Sequence, residues 1–257
     1  MSLAKCIEII VRFWPSFLLG IRTTLLVALS GTLCGLLIGL FVGGIRAIRL
    51  DKTALQPYKI FKKIIDIIAV IYIEVFRGTP MMVQAVFIYY LVYTNLIRWN
   101  KMTAAIFVIS INTGAYMAEI VRSGIQAVDP GQNEAARSLG MSSIQTMIHV
   151  VLPQAIRNAF PAFGNELIVN IKDSSVLMII SITELMFQSN SIAGTTYRFT
   201  ETYFVTAMIY LLLTSISSVI LNAIEKKLNH TRTSLPQSDT NVSNMSIAQK
   251  GADYANR

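Results

Sequence analysis

Charge is what this sequence has least of. Asp, Glu, Lys and Arg make up 14% of its 257 residues, where a soluble domain carries roughly 25%. With 53% hydrophobic residues and a mean hydropathy of +0.55, a chain this poor in charge resides in a membrane. Cysteine is nearly absent as well. Cys6 and Cys34 are spaced for neither a zinc site nor a redox pair and read as small apolar residues. The two histidines, His149 and His230, fall in a loop and a tail. No HExxH, GxSxG or similar constellation occurs, which argues against an intramembrane enzyme. A Walker-type phosphate loop is missing too, so ATP hydrolysis is not expected on this chain. Nor is there a convincing cleavable signal: the first apolar run is too extended for one and reads as a true span.

The charge that is present leans positive, with 22 Lys and Arg against 14 Asp and Glu, a net +8. These cations cluster between apolar runs, where they set orientation and meet anionic lipid headgroups. No basic groove interleaved with aromatics accompanies them, so lipid is an expected partner and nucleic acid is not.

Crossing a hydrocarbon core of about 30 Å takes about 20 apolar residues. Five candidate spans stand out, near 17–44, 79–92, 103–122, 154–182 and 203–222. The expected fold is therefore all-α and integral to the membrane, with about five transmembrane helices. The first span carries Gly31, Gly35, Gly39, Gly43 and Gly44, a small-residue stripe that lets helices approach closely. The second either follows a separate interfacial helix at 64–76 or is continuous with it, in which case Pro80 kinks it. Residues 1–228 form the membrane domain. The Ser-, Asn-, Thr- and Gln-rich stretch 229–257 reads as a disordered tail.

Between the first two spans lie Arg46, Arg49, Lys52, Lys59, Lys62 and Lys63, opposed by Asp51 and Asp66; after the fifth come Lys226, Lys227 and Arg232. The opposite loops are poorer, with Lys5 and Arg12, then Arg98 and Lys101, then Arg198. The positive-inside rule puts the N-terminus outside and the C-terminus in the cytoplasm. An odd number of spans requires the ends to differ, so count and charge agree.

The loop 123–152 then falls on the cytoplasmic side, and it is patterned. Asp129-Pro130-Gly131 reads as a turn, and a helix starts from Gln132. Gly140 breaks it, and Ser142 or Ser143 caps a second short helix running to Val150. Within it stand Glu134-Ala135-Ala136, three residues, Gly140, nine residues, Val150, one residue, Leu152-Pro153. The two alanines make a helix face of little bulk on which a partner can seat. Glu134, near the helix start, suits the dipole and can pair with a partner cation. Gly140 permits a tight turn. This pattern resembles the EAA motif of bacterial ABC-importer permeases, departing only in Val150 for Ile.

Further segments, Ile73 to Pro80, Gly114 to Arg122, Leu152 to Ala155, Gly164 to Glu166 and Lys172 to Ser175, are similar to the polar amino acid subfamily of histidine, glutamine, arginine and opine permeases. The likeness runs from about Phe17 to Lys227. It implies a coupling helix between the third and fourth spans that inserts into a nucleotide-binding subunit. It also implies a second permease chain, identical or paralogous, and an extracellular or periplasmic amino-acid-binding protein. ATP and magnesium would be held by the motor subunit and none by this chain, in a bacterial cell membrane.

Polar groups inside spans are unfavourable unless they face protein or a water-filled path. Asn112, Tyr116 and Glu119 share one face of the third span, either touching a substrate or bonding helix to helix. Asn165, Glu166, Asn170, Lys172, Asp173, Ser174 and Ser175 crowd the fourth, where an interrupted or widened helix around a cavity is expected. Lys172 and Asp173 either neutralise each other or complement a zwitterion. Glu166 facing a cavity would favour a cationic side chain, unless it pairs with Arg157 or Arg77. Arg77, Gly78, Thr79 and Pro80 open the second span, where Arg77 gates, holds structure or snorkels to headgroups. The expected function is import of a polar, possibly cationic, amino acid by alternating access, driven by ATP hydrolysis elsewhere. The alternatives are a secondary transporter, which would be larger and internally repeated, or a permease for another small polar solute.

Overall fold

The structure, a computed structural model, describes residues 2–47, 55–95 and 99–230. Arg49, Asp51, Lys52, Arg98, Arg232 and the expected tail from 231 onward lie outside the described residues. Among the described residues every regular element is helical. The chain divides into a unit at Met1–Leu221 and a second at Asn222–Arg257; the described part of the second, 222–230, is helical.

The glycine stripe sets the centre of the first unit. A Cβ on Gly31 of α1 (Leu3–Ala47) would come within 2.3 Å of Ile109 in α4 (Lys101–Gln126). Likewise Gly35 would meet Thr113 at 2.8 Å, Gly39 would meet Met117 at 2.2 Å and Gly43 would meet Val121 at 2.9 Å. Both helices advance four residues per contact, so they run parallel and backbone packs on side chain with no Cβ between. The ends of the two helices therefore coincide: Arg46 of α1 lies 3.6 Å from Glu119 of α4. The patterned loop that follows α4 emerges at this same end. α1 starts well before the expected residue 17, with non-helical geometry at Phe13 (φ −112°, ψ 18°) ahead of Pro15, whose ring crowds the preceding turn.

The second span is not one kinked helix. It is α2 (Gln56–Gly78) and α3 (Met81–Asn95), separated at Thr79-Pro80. Thr79 is extended (φ −121°, ψ 145°), the region a following proline imposes, and so the helix stops rather than bends.

The patterned loop forms α5 (Pro130–Ser138) and α6 (Ser143–Thr146). The expected short helix ending near Val150 needs correction. α6 passes through a π turn at Met147–Val151 straight into α7 (Leu152–Asp173). Pro153 sits in the first turn of α7 and has no N–H to donate. The π turn shifts the pairing by one residue, with Leu152 N–H donating to Met147 O, and so carries the helix past the proline.

The interruption expected around the polar stretch comes only at its end: α7 is regular α-helix through Asn165, Glu166, Asn170, Lys172 and Asp173. It tightens into a 3₁₀ segment at Ser174–Ile180, turns at Ser181 (φ 63°) and resumes as α8 (Leu185–Thr196), bent by 57°. α8 was not foreseen; it occupies the expected loop before α9 (Phe199–His230). Among the described residues, α1, α4 and α9 are each long and apolar enough to cross a membrane, and the bent α7–α8 pair is a fourth candidate.

Candidate functional site

Proline removes an N–H from the end of α2, and the consequence builds a cleft. In a continuous helix the Phe76 carbonyl would accept from residue 80, which is Pro80. Two side-chain amides replace that donor: Gln84 at 2.9 Å and Asn112 at 3.1 Å. Gln84 also donates to the Thr79 carbonyl at 2.9 Å and accepts from Asn112 at 2.9 Å. The break is thereby held open, with no buried backbone group left unpaired at that carbonyl.

Beside the break lies a cleft of about 540 Å³ walled by α2, α4 and α7. It brings together Arg77, Gly78, Thr79 and Pro80 from the break, Asn112 and Tyr116 from α4, and Glu166, Asn170 and Asp173 from α7. The Arg77 guanidinium lies over the Tyr116 ring, 5.4 Å from its centre, a cation–π contact. A neighbouring cavity of about 370 Å³ shares Arg77, Tyr116 and Glu166 and adds Glu119. One guanidinium and two carboxylates thus face a space sized for a small polar solute.

The sequence candidates separate here into two roles. Asn112 is buried and bonds helix to helix. Asn170, also buried, donates to Thr32 of α1 at 2.7 Å and shares a hydrogen bond of about 3 Å with Thr113 of α4, tying three helices while presenting its edge to the cleft. Glu166 makes no hydrogen bond or salt bridge with Arg157 or Arg77 among the described residues, although the Arg77 and Asp173 charges both act on it through space. Lys172 and Asp173, for which mutual neutralisation was one of two expectations, make no salt bridge within 4 Å among the described residues, although the Lys172 charge acts on the Asp173 carboxyl through space. Lys172 and Asn165 are exposed outside the cleft. Ser174 is buried and donates to the Ile171 carbonyl at 2.9 Å; Ser175 is half-buried, and neither serine lines the cleft. Glu119 is held at the end of α4 by Arg122, whose Nε donates at 2.8 Å, and by Arg46.

The loop residues form a surface of their own. Asp129 caps α5 by accepting from Gly131 N–H at 2.7 Å. At the other end Gly140 has φ +84°. Gly140 N–H donates to Arg137 O at 3.0 Å and Met141 N–H to Ala136 O at 3.2 Å, the two bonds of a Schellman ending that needs a left-handed residue. Ser142 and Gln145 close a capping box on α6. Glu134 and Ala135 are exposed and Ala136 is buried. Leu139, 85% exposed, and Ile144 give the turn an apolar tip. Val150, Leu152 and Pro153 belong to the π turn and the α7 start.

Two important side chains escaped the sequence reading. Gln84 looked like one polar residue in an apolar run, although its place four residues after a proline was the available signal. Glu184 is fully buried. It accepts from the N–H groups of Met186 (2.8 Å) and Phe187 (2.7 Å) and from the Tyr210 hydroxyl at 3.1 Å, and so caps α8. A lone acid directly before Leu185-Met186-Phe187 was its signal.

Residues 35–230 match the family described as binding-protein-dependent transport system inner membrane component. The chain is similar to the glutamine transport system permease protein GlnP of Escherichia coli K12, with 36% identity over 84% of this chain and 95% of that one. It is also similar to YckA of Bacillus subtilis 168, a probable amino-acid ABC transporter permease, with 37% identity over 87% of this chain and 93% of the other. Among solved structures, an amino acid ABC transporter with histidines matches at a TM-score of 0.74 and 39% identity, over 85% of this chain and 96% of that one.

Proposed function

Because the chain belongs to the binding-protein-dependent transport system inner membrane components and is the permease subunit of an amino-acid ABC importer, we propose that the Arg77–Asp173 cleft is its half of the translocation pathway. The observation that carries this is the meeting of Arg77, Glu166 and Asp173, from two broken helices, in one polar space. An amino acid offers a carboxylate to Arg77 and an ammonium to the acids. The second acid favours a substrate with an additional positive charge. Broken helices around such a space are how membrane proteins place backbone and charge at depth.

A second permease chain, identical or paralogous, closes the open side of the cleft. A binding protein delivers the amino acid from outside. ATP and magnesium are held by separate motor subunits, whose closure drives alternating access through α5, with Glu134, Ala135 and the Leu139 tip seated in a groove of the motor. The parallel course of α1 and α4 supports this arrangement, because it brings Arg46 and the α5 turn to one end, the cytoplasmic end by charge. The N-terminus is then outside and the C-terminus inside the bacterial cell membrane.

The test is reconstitution. The chain is purified with its ATPase and binding protein, and stimulation of ATP hydrolysis is measured across neutral, acidic and basic amino acids. Stimulation by basic or amide amino acids is expected. Stimulation only by a solute that is not an amino acid would displace the cleft assignment, and transport without an ATPase would displace the importer mechanism.

A further inference from the structure

A second polar hollow lies apart from the cleft, between the start of α1 and the junction of α8 with α9. Its volume is about 250 Å³, and Glu8 and Arg12 of α1 face Thr195, Thr196 and Arg198 of the junction across it. Tyr197 takes a left-handed turn there (φ 55°), which ends α8 and leads into α9. Arg198 Nη1 donates to the Glu8 carboxylate at 2.7 Å. Arg12 lies over the Phe13 ring, and the Arg12 and Lys5 charges act on the same carboxylate through space. Two guanidinium groups against one carboxylate leave the hollow with a net positive charge.

The depth of the hollow follows from α9. The membrane-crossing stretch of that helix is Phe199–Lys227, 29 residues, which is about 43 Å long. A bilayer with its headgroup layers is about 40–45 Å thick, and large apolar side chains are exposed along the stretch from Phe199 to Ile224. Arg198, immediately before it, therefore stands in a headgroup layer. The rim of the hollow agrees. Ile7, Val11 and Trp14 share one face of α1 and are exposed, as is Tyr197. Such an apolar and aromatic border belongs where acyl chains meet headgroups.

Each polar group in the hollow offers one kind of bond. Thr195 and Thr196 donate their hydroxyl hydrogens to the Ser191 and Ile192 carbonyls, both at 2.8 Å, and so present oxygen lone pairs. The guanidinium groups present N–H donors. Positively charged donors suit a phosphodiester, and the threonine oxygens suit hydroxyl groups beside it. A phosphodiester balances the net charge, whereas the ammonium of an ethanolamine headgroup would restore it. We propose that the hollow binds the headgroup of an anionic phospholipid, with its phosphate on Arg12 and Arg198 and its glycerol hydroxyls on Thr195 and Thr196. This site is independent of the role given to the cleft.

The experiment strips the assembled importer of lipid in detergent and titrates it with phosphatidylglycerol, phosphatidylethanolamine or inorganic phosphate. Native mass spectrometry counts the retained lipid, and a thermal-shift series reads the stabilisation. Phosphatidylglycerol is expected to be retained and to raise the unfolding midpoint, ahead of phosphatidylethanolamine, with phosphate doing neither. Arg12→Gln should weaken phosphatidylglycerol binding about tenfold, Arg12→Lys less, and Lys226→Gln at the other end of the α9 stretch hardly at all. Glu8→Gln should act in the opposite sense and tighten it, because Arg198 is released to the phosphate. Equal retention of the two lipids, or an Arg12→Gln chain that binds phosphatidylglycerol as the parent does, overturns the proposal. Stabilisation by inorganic phosphate equal to that by the lipid makes the hollow a free-anion site and overturns it as well. If Arg12→Gln keeps its lipid but needs more binding protein for half-maximal ATP hydrolysis, the hollow is a docking surface for that protein instead.

Discussion

Asn112 of α4 and Gln84 of α3 join their amides at 2.9 Å directly over the Phe76 carbonyl that Pro80 leaves without a donor. A transporter needs irregular backbone at depth, and irregular backbone at depth needs its polar groups satisfied. These two residues meet that need between them, so the break in the second span belongs to the architecture of α4 as much as to its own sequence.

Replacing either amide by leucine should lower the midpoint of thermal unfolding in detergent, by the equivalent of about 1–2 kcal/mol for the carbonyl left underbonded. Because Asn112 also donates to the Gln84 side-chain oxygen at 2.9 Å, either single change strands the surviving amide, and the Gln84→Leu/Asn112→Leu double variant should lose less than the two single losses added together. Strict additivity in a thermal-shift series would show that the two amides are not coupled.

Within the glycine stripe the chain carries its own control. Gly39→Ala puts a Cβ within 2.2 Å of Met117 Cβ and 2.8 Å of Met117 backbone, and should destabilise by about 1–3 kcal/mol through forced separation of the helices. Gly44→Ala meets nothing within 4 Å and should be neutral or slightly stabilising, since alanine is the better helix former. Unfolding midpoints of the two variants measured side by side decide the matter.

Gly140→Val forces a β-branched residue to φ +84°, an unfavourable change of roughly 1–2 kcal/mol confined to the turn. Membrane insertion should persist while stimulation of the partner ATPase falls severalfold, and Glu134→Trp should act in the same direction by blocking the seat. If transport and ATPase stimulation both survive these changes, α5 is not the coupling element.

Glu166→Gln removes a carboxylate from the cleft and keeps its shape. Competition uptake assays should show cationic amino acids losing severalfold more affinity than neutral ones. An unchanged selectivity profile would take Glu166 out of the substrate's path.

Much of this was legible in sequence because the membrane simplifies the code. Apolar length located the long helices, and the Glu134-to-Pro153 spacing located α5 and its glycine ending. The polar crowding at 165–175 pointed to an interrupted helix, but the helix stays regular through Asp173 and changes only at Ser174. Orientation within that crowd was not legible. Periodicity along one helix says which residues share a face, but not that Asn170 would be spent on Thr32 and Thr113 while Asp173 stayed open. Those facts depend on helices distant in the chain. The Pro153 region misled for a related reason: a proline after an apolar run usually marks a boundary, whereas a π turn can carry a helix across it. α8 was hidden because its one strong signal, the cap at Glu184, looks like an isolated buried charge until Tyr210 arrives from α9.

The glycine contacts between α1 and α4 form a thread with a four-residue pitch, and a thread of this kind resists small displacement. Sliding one helix along the other by a single residue would drive a backbone into the side chains of Ile109, Thr113, Met117 and Val121 all at once. Only a full-turn jump would restore the fit. The pair therefore forms a rigid strut beside the two places where the helices are interrupted, at Thr79-Pro80 and after Asp173. In the alternating access proposed above, those two interruptions, which also line the cleft, are where movement would be concentrated.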